Sequence, residues 1–201
     1  MRRALFALAV ALSLSGCVNF ADPSGKSPEV VNYVLNDGTA LASRTPVRAG
    51  APLLLVLDTT AGGFYDTDQM VFARNPATRG YYQFARWTDR PGKRFAELMR
   101  ARLDGQGAYR VAAAGGYVLG DLLLDTELID FYHDASSEPG TMRLVLRAEL
   151  IDLRQRTLLG RQTFEHTVPL ARFDAAGAAA AADVAVGQAL DALTAWLASL
   201  R

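Results

Sequence analysis

Few side chains in this 201-residue chain are placed for chemistry. Cys17 is the only thiol, and His133 and His166 are the only imidazoles. A hydrolase needs a nucleophile, a base and an orienting group within reach of one another. His133 has Asp134, Ser136 and Ser137 beside it in what reads as a turn, where serine near histidine is ordinarily local capping. His166 falls in the strand-like TFEHTV, where alternation assigns it to a solvated face. There is no G-x-S-x-G elbow. Asp66-Thr67-Asp68 offers two carboxylates but lacks the glycine and distal glutamate of a calcium loop. Asp130, His133 and Asp134 would supply part of a zinc site, with no fourth ligand nearby in sequence; a polar hairpin end is the simpler reading. The glycine pairs 62–63 and 115–116 open no lysine-bearing helix start, so no phosphate loop is read. The sequence points to no catalytic residue, no metal and no cofactor.

Cys17 has a different chemistry in view. Arg2 and Arg3 precede an apolar run, Ala4 to Leu14, of 11 residues. That is too short for a bilayer core, which takes about 20. Ser15 and Gly16 follow, both small. Residues 1–16 therefore read as a secretory signal peptide rather than a buried helix, and Leu14-Ser15-Gly16-Cys17 resembles a bacterial lipobox. In such signals the cysteine sulfur receives a diacylglyceryl group, and cleavage exposes an amine that is acylated in turn. A free or disulfide-bonded thiol is the competing reading; the apolar run and the spacing favour lipidation. At about 0.8 kcal/mol per buried CH₂, one acyl chain holds a protein marginally and two or more hold it stably.

Removing residues 1–16 takes away two arginines and no acids, leaving 19 basic against 21 acidic side chains, a net of −2. Such a balance gives nucleic-acid binding no support. Residues 17–32 are polar, carry Pro23, Gly25 and Pro28, and read as a tether behind the acylated cysteine. As a flexible coil of this length it spans roughly 20 Å. Residues 33–201 are long enough for one ordinary domain with its own core.

The elements of that domain follow from periodicity. Tyr33 to Asp58 reads as two strands, the first opened by YVL and the second centred on LLLVL. QMVFAR and YYQFARW flank the turn-rich NPATRG as a β-hairpin. Residues 91–104 change period: Phe95, Leu98, Met99 and Leu103 fall on one helical face, after Pro91 and before Gly105 and Gly107. Tyr109 to Ala113 reads as a strand, and three alternating strands follow around 124–129, 143–150 and 158–168. Val186, Leu190, Leu193, Leu197 and Leu200 then stripe an alanine-rich helix over 175–200. The sum is an α+β fold in a single domain: a mostly antiparallel sheet with two main helices packed on one face.

One stretch is unusual in composition. Residues 64–87 gather Phe64, Tyr65, Phe72, Tyr81, Tyr82, Phe84 and Trp87 with Arg74, Arg79 and Arg86. Aromatics and arginine are the residues of interface hot spots, and alternating aromatics are equally the core of a hairpin. Both readings hold if one face is core and the other docks.

The order of motifs is similar to that of the ABC-type transport auxiliary lipoprotein family, which includes PqiC-like proteins. The resemblance is carried by YDTDQMVFAR, YYQFARWTDRPGKRFAELMRARL, DTELIDF, RLVLRAELIDLRQRTLLGRQTFE and the alanine-rich terminal helix. It runs from about Tyr33 to the C-terminus and includes the lipobox; the TTAGGF loop departs from it in length and spacing. The resemblance implies a non-catalytic outer-membrane lipoprotein facing the periplasm of a Gram-negative bacterium. It implies a partner, a periplasmic MCE-domain protein of an ABC system that moves lipids or other hydrophobic molecules between membranes, and it allows a homo-oligomeric ring. Val18 in place of an aspartate after the cysteine fits outer-membrane sorting. Tyr65, Asp66, Asp68, Arg86 and Trp87 are the motif positions expected at the partner, or in support of the fold that meets it.

Overall fold

The computed structural model describes residues 29–38, 44–116 and 118–200. Cys17 and the rest of residues 1–28, where the sequence reading places a signal peptide and most of a tether, lie outside the described residues. The elements in chain order are β1 (Val31–Tyr33), β2 (Leu53–Val56), β3 (Thr60–Ala61), β4 (Gln69–Ala73), β5 (Gly80–Trp87) and α1 (Pro91–Gly105). There follow β6 (Arg110–Ala113), β7 (Leu122–Asp134), β8 (Thr141–Asp152), β9 (Thr157–Pro169) and α2 (Ala175–Ser199).

β7 is the spine of the sheet. Its whole length pairs antiparallel with β8, and β8 pairs antiparallel with β9. Its other edge is shared. The first half takes β2 in parallel, which takes β6 in parallel. The second half takes β3 and β4 in parallel, and β4 leads on through β5 to β1. The expected hairpin of β4 and β5 is present and antiparallel, with a register shift between Gln69 and Val71. The α+β class and the long antiparallel ladders agree with the sequence reading. The short parallel strands beside β7 are a finding of the structure.

One face of the sheet is apolar. Met142, Leu144, Leu146, Ala148 and Leu150 of β8 are buried on it with Leu124 and Leu128 of β7. α2 lies across β8 and β9 on this face and buries Ala182, Ala185, Val186, Ala189, Leu190, Leu193 and Leu197. α1 sits beside it and buries Phe95, Ala96, Met99 and Leu103 in the same core. The cap of α2 is Asp174, whose side chain accepts the Gly177 N–H at 2.6 Å. α1 starts on Pro91, and just past its C-cap Gln106 the chain turns at Gly107, which takes φ +66°; a Cβ there would lie 2.5 Å from the Pro46 carbonyl oxygen.

The other face is polar. Arg147 pairs with Glu127, Arg161 with Glu149, and Arg143 with both Asp130 and Glu165. These side chains take the outward positions of the three long strands, as alternation requires.

Three readings need correction. The first strand is Val31–Tyr33 rather than one beginning at Tyr33. β7 does not end near residue 129. A bulge between Leu128 and Asp130 inserts one residue, after which Phe131 and His133 turn to the helix side. His133 therefore lies in a strand, 1% exposed, not in a turn. His166 shares its side of β9 with the buried Phe164 and Val168 and lies close to Gln188 of α2, so it faces the helix and not solvent.

Candidate docking site

The motif residues divide into an inner and an outer layer. Residues 62–68 connect β3 to β4, and the Gly62 carbonyl accepts N–H bonds from Tyr65 (2.7 Å) and Asp66 (3.0 Å). This turn folds Tyr65 against the sheet, where its ring stacks on Tyr132 with centroids 6.4 Å apart. The Tyr65 hydroxyl accepts from Arg79 Nε at 2.9 Å and donates to Asp130 Oδ1 at 3.0 Å. Arg79 lies over the Tyr132 ring at 3.9 Å, and Arg143 Nε donates to the second Asp130 oxygen at 3.1 Å. Burial, with Asp130 adding to it and Arg79 opposing, pushes the Tyr65 phenol up to about 12. It stays a neutral donor throughout the physiological range.

Trp87 is also inner. It is 4% exposed and packs against Phe131 with ring centroids 5.7 Å apart. The Trp87 backbone N–H donates to the Asp68 backbone carbonyl at 2.6 Å, which fixes the end of β5 against the loop before β4. Tyr65 and Trp87 both pack into the local fold, their rings buried.

The outer layer is charged. Asp68 receives Arg86 Nη1 on both oxygens, at 3.4 and 3.3 Å. Asp66 receives Arg90 Nη1 at 3.2 and 3.3 Å. Lys93 lies 3.5 Å from Asp89 one turn before it. Asp66, Thr67, Asp68, Thr88, Asp89, Arg90 and Lys93 together line an open cleft of about 520 Å³ between the loop and the first turn of α1. Its charges alternate, so it offers paired donors and acceptors to another polar surface rather than a field of one sign. Toward the hairpin turn, away from the cleft, Phe64 stacks on Tyr81 at 4.6 Å, and both Phe64 and Phe84 are exposed.

Of the sequence candidates, the structure brings Asp66, Asp68 and Arg86 to the surface and takes Tyr65 and Trp87 inside. The sequence reading missed Arg79, Asp130 and Arg143 as their support, and Arg90 and Lys93 on the cleft wall. The signal for the last two was present: they sit at α1's first turn, immediately after the aromatic strand.

The groups weighed for metal or acid–base chemistry are placed differently. Asp130 is held by arginines on the polar face, whereas His133 points to the helix side, so Asp130, His133 and Asp134 do not converge. His133 Nδ1 and the Tyr82 hydroxyl share a hydrogen bond of 2.7 Å, and the edge of Phe173 closes the pocket. Burial holds the His133 imidazole below its usual range. Among the described residues, no group of three or more histidine, cysteine or acidic side chains converges to hold a metal ion.

A family model described as the ABC-type transport auxiliary lipoprotein component matches residues 33–194. The chain belongs to this family. A crystal structure of protein XCC0632 from Xanthomonas campestris is similar, with a TM-score of 0.71 at 19% identity, covering 85% of this chain and 96% of that one. The crystal structure of a second, uncharacterised protein has a TM-score of 0.63 at 12% identity, covering 77% and 97%. At these identities the likeness is one of fold. No curated protein matches the chain. Among the described residues, no helix is long and apolar enough to cross a membrane.

Proposed function

We propose that this protein is a non-catalytic, lipid-anchored docking component of an MCE-type ABC transport system. In this reading Cys17 is acylated and fixes the chain to the outer membrane on its periplasmic side. The tether lets the domain stand off the bilayer, and the domain holds an MCE-domain protein that passes lipids or other hydrophobic molecules between the membranes. Membership of the auxiliary lipoprotein family carries the reading. The cleft of Asp66, Asp68 and Arg90 supplies polar pairs, and the exposed Phe64 and Phe84 of the same loop and hairpin supply apolar surface. That mixture suits a non-obligate interface.

Two measurements test it. Cys17→Ala is expected to abolish labelling by radioactive palmitate; continued labelling refutes the acyl anchor. In a pull-down from solubilised membranes, with the MCE-domain protein as prey, Asp66→Ala combined with Arg90→Ala is expected to reduce recovery at unchanged melting temperature. Full recovery refutes docking through this cleft.

A second reading, in which the protein itself carries a hydrophobic ligand, is favoured by one observation. A cavity of about 460 Å³ lies at the end of the sheet, lined by Leu122, Leu150, Leu159, Leu197 and Leu200 together with the charged Arg48, Asp121, Asp152 and Arg154. Native mass spectrometry separates the two: co-purifying lipid supports the carrier, and a bare domain that retains a protein partner supports the docking component.

A further inference from the structure

β9 is 13 residues long and pairs on one side only, with β8. Its outer edge carries no strand among the described residues. Which backbone groups face outward follows from the bond just beyond it, where the Leu170 N–H donates to the Gly140 carbonyl at 3.1 Å. The ladder continues in that register, with Val168 opposite Met142, His166 opposite Leu144 and Phe164 opposite Leu146. Hydrogen-bonded and non-bonded pairs alternate in an antiparallel ladder. The even-numbered residues thus turn their N–H and C=O toward β8, and Arg161, Thr163, Glu165 and Thr167 turn theirs outward. Pro169 ends this row on one side and the register shift near Leu159 ends it on the other. An open row of this length is a template for another strand.

We propose that this edge docks the same edge of a second copy, β9 against β9, about a two-fold axis through Thr163. Charge selects both the occupant and the register. With Thr163 opposite Thr163, Arg161 of each copy stands directly opposite Glu165 of the other, and all these residues belong to the outward-bonding set. Centring the pair on Arg161 sets arginine against arginine, and centring it on Glu165 sets glutamate against glutamate. Opposite charges across a strand pair stabilise it and like charges destabilise it. The same side chains are already braced within each chain, Arg161 by Glu149 at 2.8 Å and Glu165 by Arg143 at 3.3 Å. The two-fold extends these into a row of alternating sign, Glu149–Arg161–Glu165–Arg143, that crosses between chains twice.

The helix layer accommodates the arrangement. α2 lies over β8 and β9, touching β9 through Trp196 against Phe164. A strand spacing of about 4.8 Å brings the two copies of α2 to roughly 10 Å, within the range of packed helices. On the β9 side of α2 the residues not buried in the core are Gln188, Ala192, Trp196 and Ser199, uncharged throughout. An interface about a two-fold must be complementary to itself, and this one is so in backbone, charge and helix flank together.

The test is cysteine cross-linking of the full chain in its membrane, with the wild type reporting any contribution from Cys17. Thr163→Cys is expected to form a disulfide dimer, because directly opposed residues lie within disulfide reach. On that background, Arg161→Glu alone or Glu165→Arg alone should lower the dimer yield about ten-fold, and the swapped pair should restore it. Glu149 and Arg143 still oppose the swapped charges inside each chain, so restoration arises only between chains. Light-scattering mass of the solubilised wild type gives a second readout should Thr163→Cys fail to fold. Three results overturn the proposal: a monomer by both readouts, a dimer indifferent to the charge swaps, or cross-linking of Thr163→Cys only to a cysteine at Val31 or Arg110 on the other edge strands.

Discussion

Arg79 Nε donates to the Tyr65 hydroxyl at 2.9 Å, joining the turn of the β4–β5 hairpin to the loop that precedes β4. The hydroxyl in turn donates a hydrogen bond to Asp130 on β7. Three segments separated in sequence are thereby closed over Tyr132. Tyr65→Phe keeps the ring and removes only the relay. Arg79 and Asp130 remain 3.8 Å apart as an ion pair, so neither is left without a partner. The expected cost is about 1 kcal/mol, the net worth of a typical hydrogen bond, read as a shift in urea midpoint at constant slope. No shift would mean that Arg79 and Asp130 hold the loop without the phenol.

The two histidines make stability depend on pH. Burial lowers the folded-state values of both His133 and His166, while the unfolded chain titrates near the ordinary value of about 6.5. A depressed histidine keeps its proton off in the folded state, so the unfolded state binds more protons as pH falls. Stability is therefore full above about pH 6.5 and declines as pH falls through each folded value. Urea midpoints at pH 8 and 7 should agree, and the midpoint at pH 5.5 should be lower. Imidazole NMR titrations with midpoints at or above the ordinary value would contradict this.

Trp87 and the cleft charges should separate cleanly. Trp87 fills the core against Phe131, and replacing a buried aromatic by alanine costs about 3–5 kcal/mol. Asp66 and Arg90 are more than half exposed, at 54% and 62% of their side chains. Surface pairs of this kind contribute roughly 0–1 kcal/mol. Trp87→Ala is expected to lower the unfolding midpoint severely, and Asp66→Ala hardly at all. A small effect of Trp87→Ala would mean that the end of β5 can be lost without disturbing the sheet.

The limits of the sequence reading lie at β7. Its alternation over 124–129 was plain, but the bulge after Leu128 reverses which residues face in. A strand with an extra residue loses its period, and His133 with its polar neighbours then looks like a turn. The partners of β7 on its other edge were also hidden. β2, β3 and β4 reach it over long separations and in parallel, a pairing that no local pattern encodes. The helices were legible because each buries one continuous stripe. The candidate site was legible as a group, from its density of aromatic and arginine residues. Its division into buried Tyr65 and Trp87 and exposed Asp66, Asp68 and Arg86 depended on the turn at Gly62, where the fold and not the composition decides direction.

Arg102 illustrates the same point and carries the strongest test of the helix layer. By its position on α1 it belongs to the polar stripe, yet its side chain is only 13% exposed. Its Nη2 lies 2.8 Å from Asp37, itself 14% exposed, and it also pairs with Asp191 of α2. The segment after β1 is thus fastened to both helices, and the Asp37 carbonyl approaches Gly187 so closely that a Cβ there would lie 2.5 Å away. Removing one partner of a buried pair leaves the other charge desolvated, at a cost of about 3–5 kcal/mol, whereas replacing both by apolar groups is often neutral. Arg102→Met should therefore destabilise the domain more than the Arg102→Met, Asp37→Leu double variant does. In a double-mutant cycle read by urea unfolding, the two substitutions should be strongly non-additive. Simple additivity would place the fastening of this segment on the backbone contact at Gly187 instead.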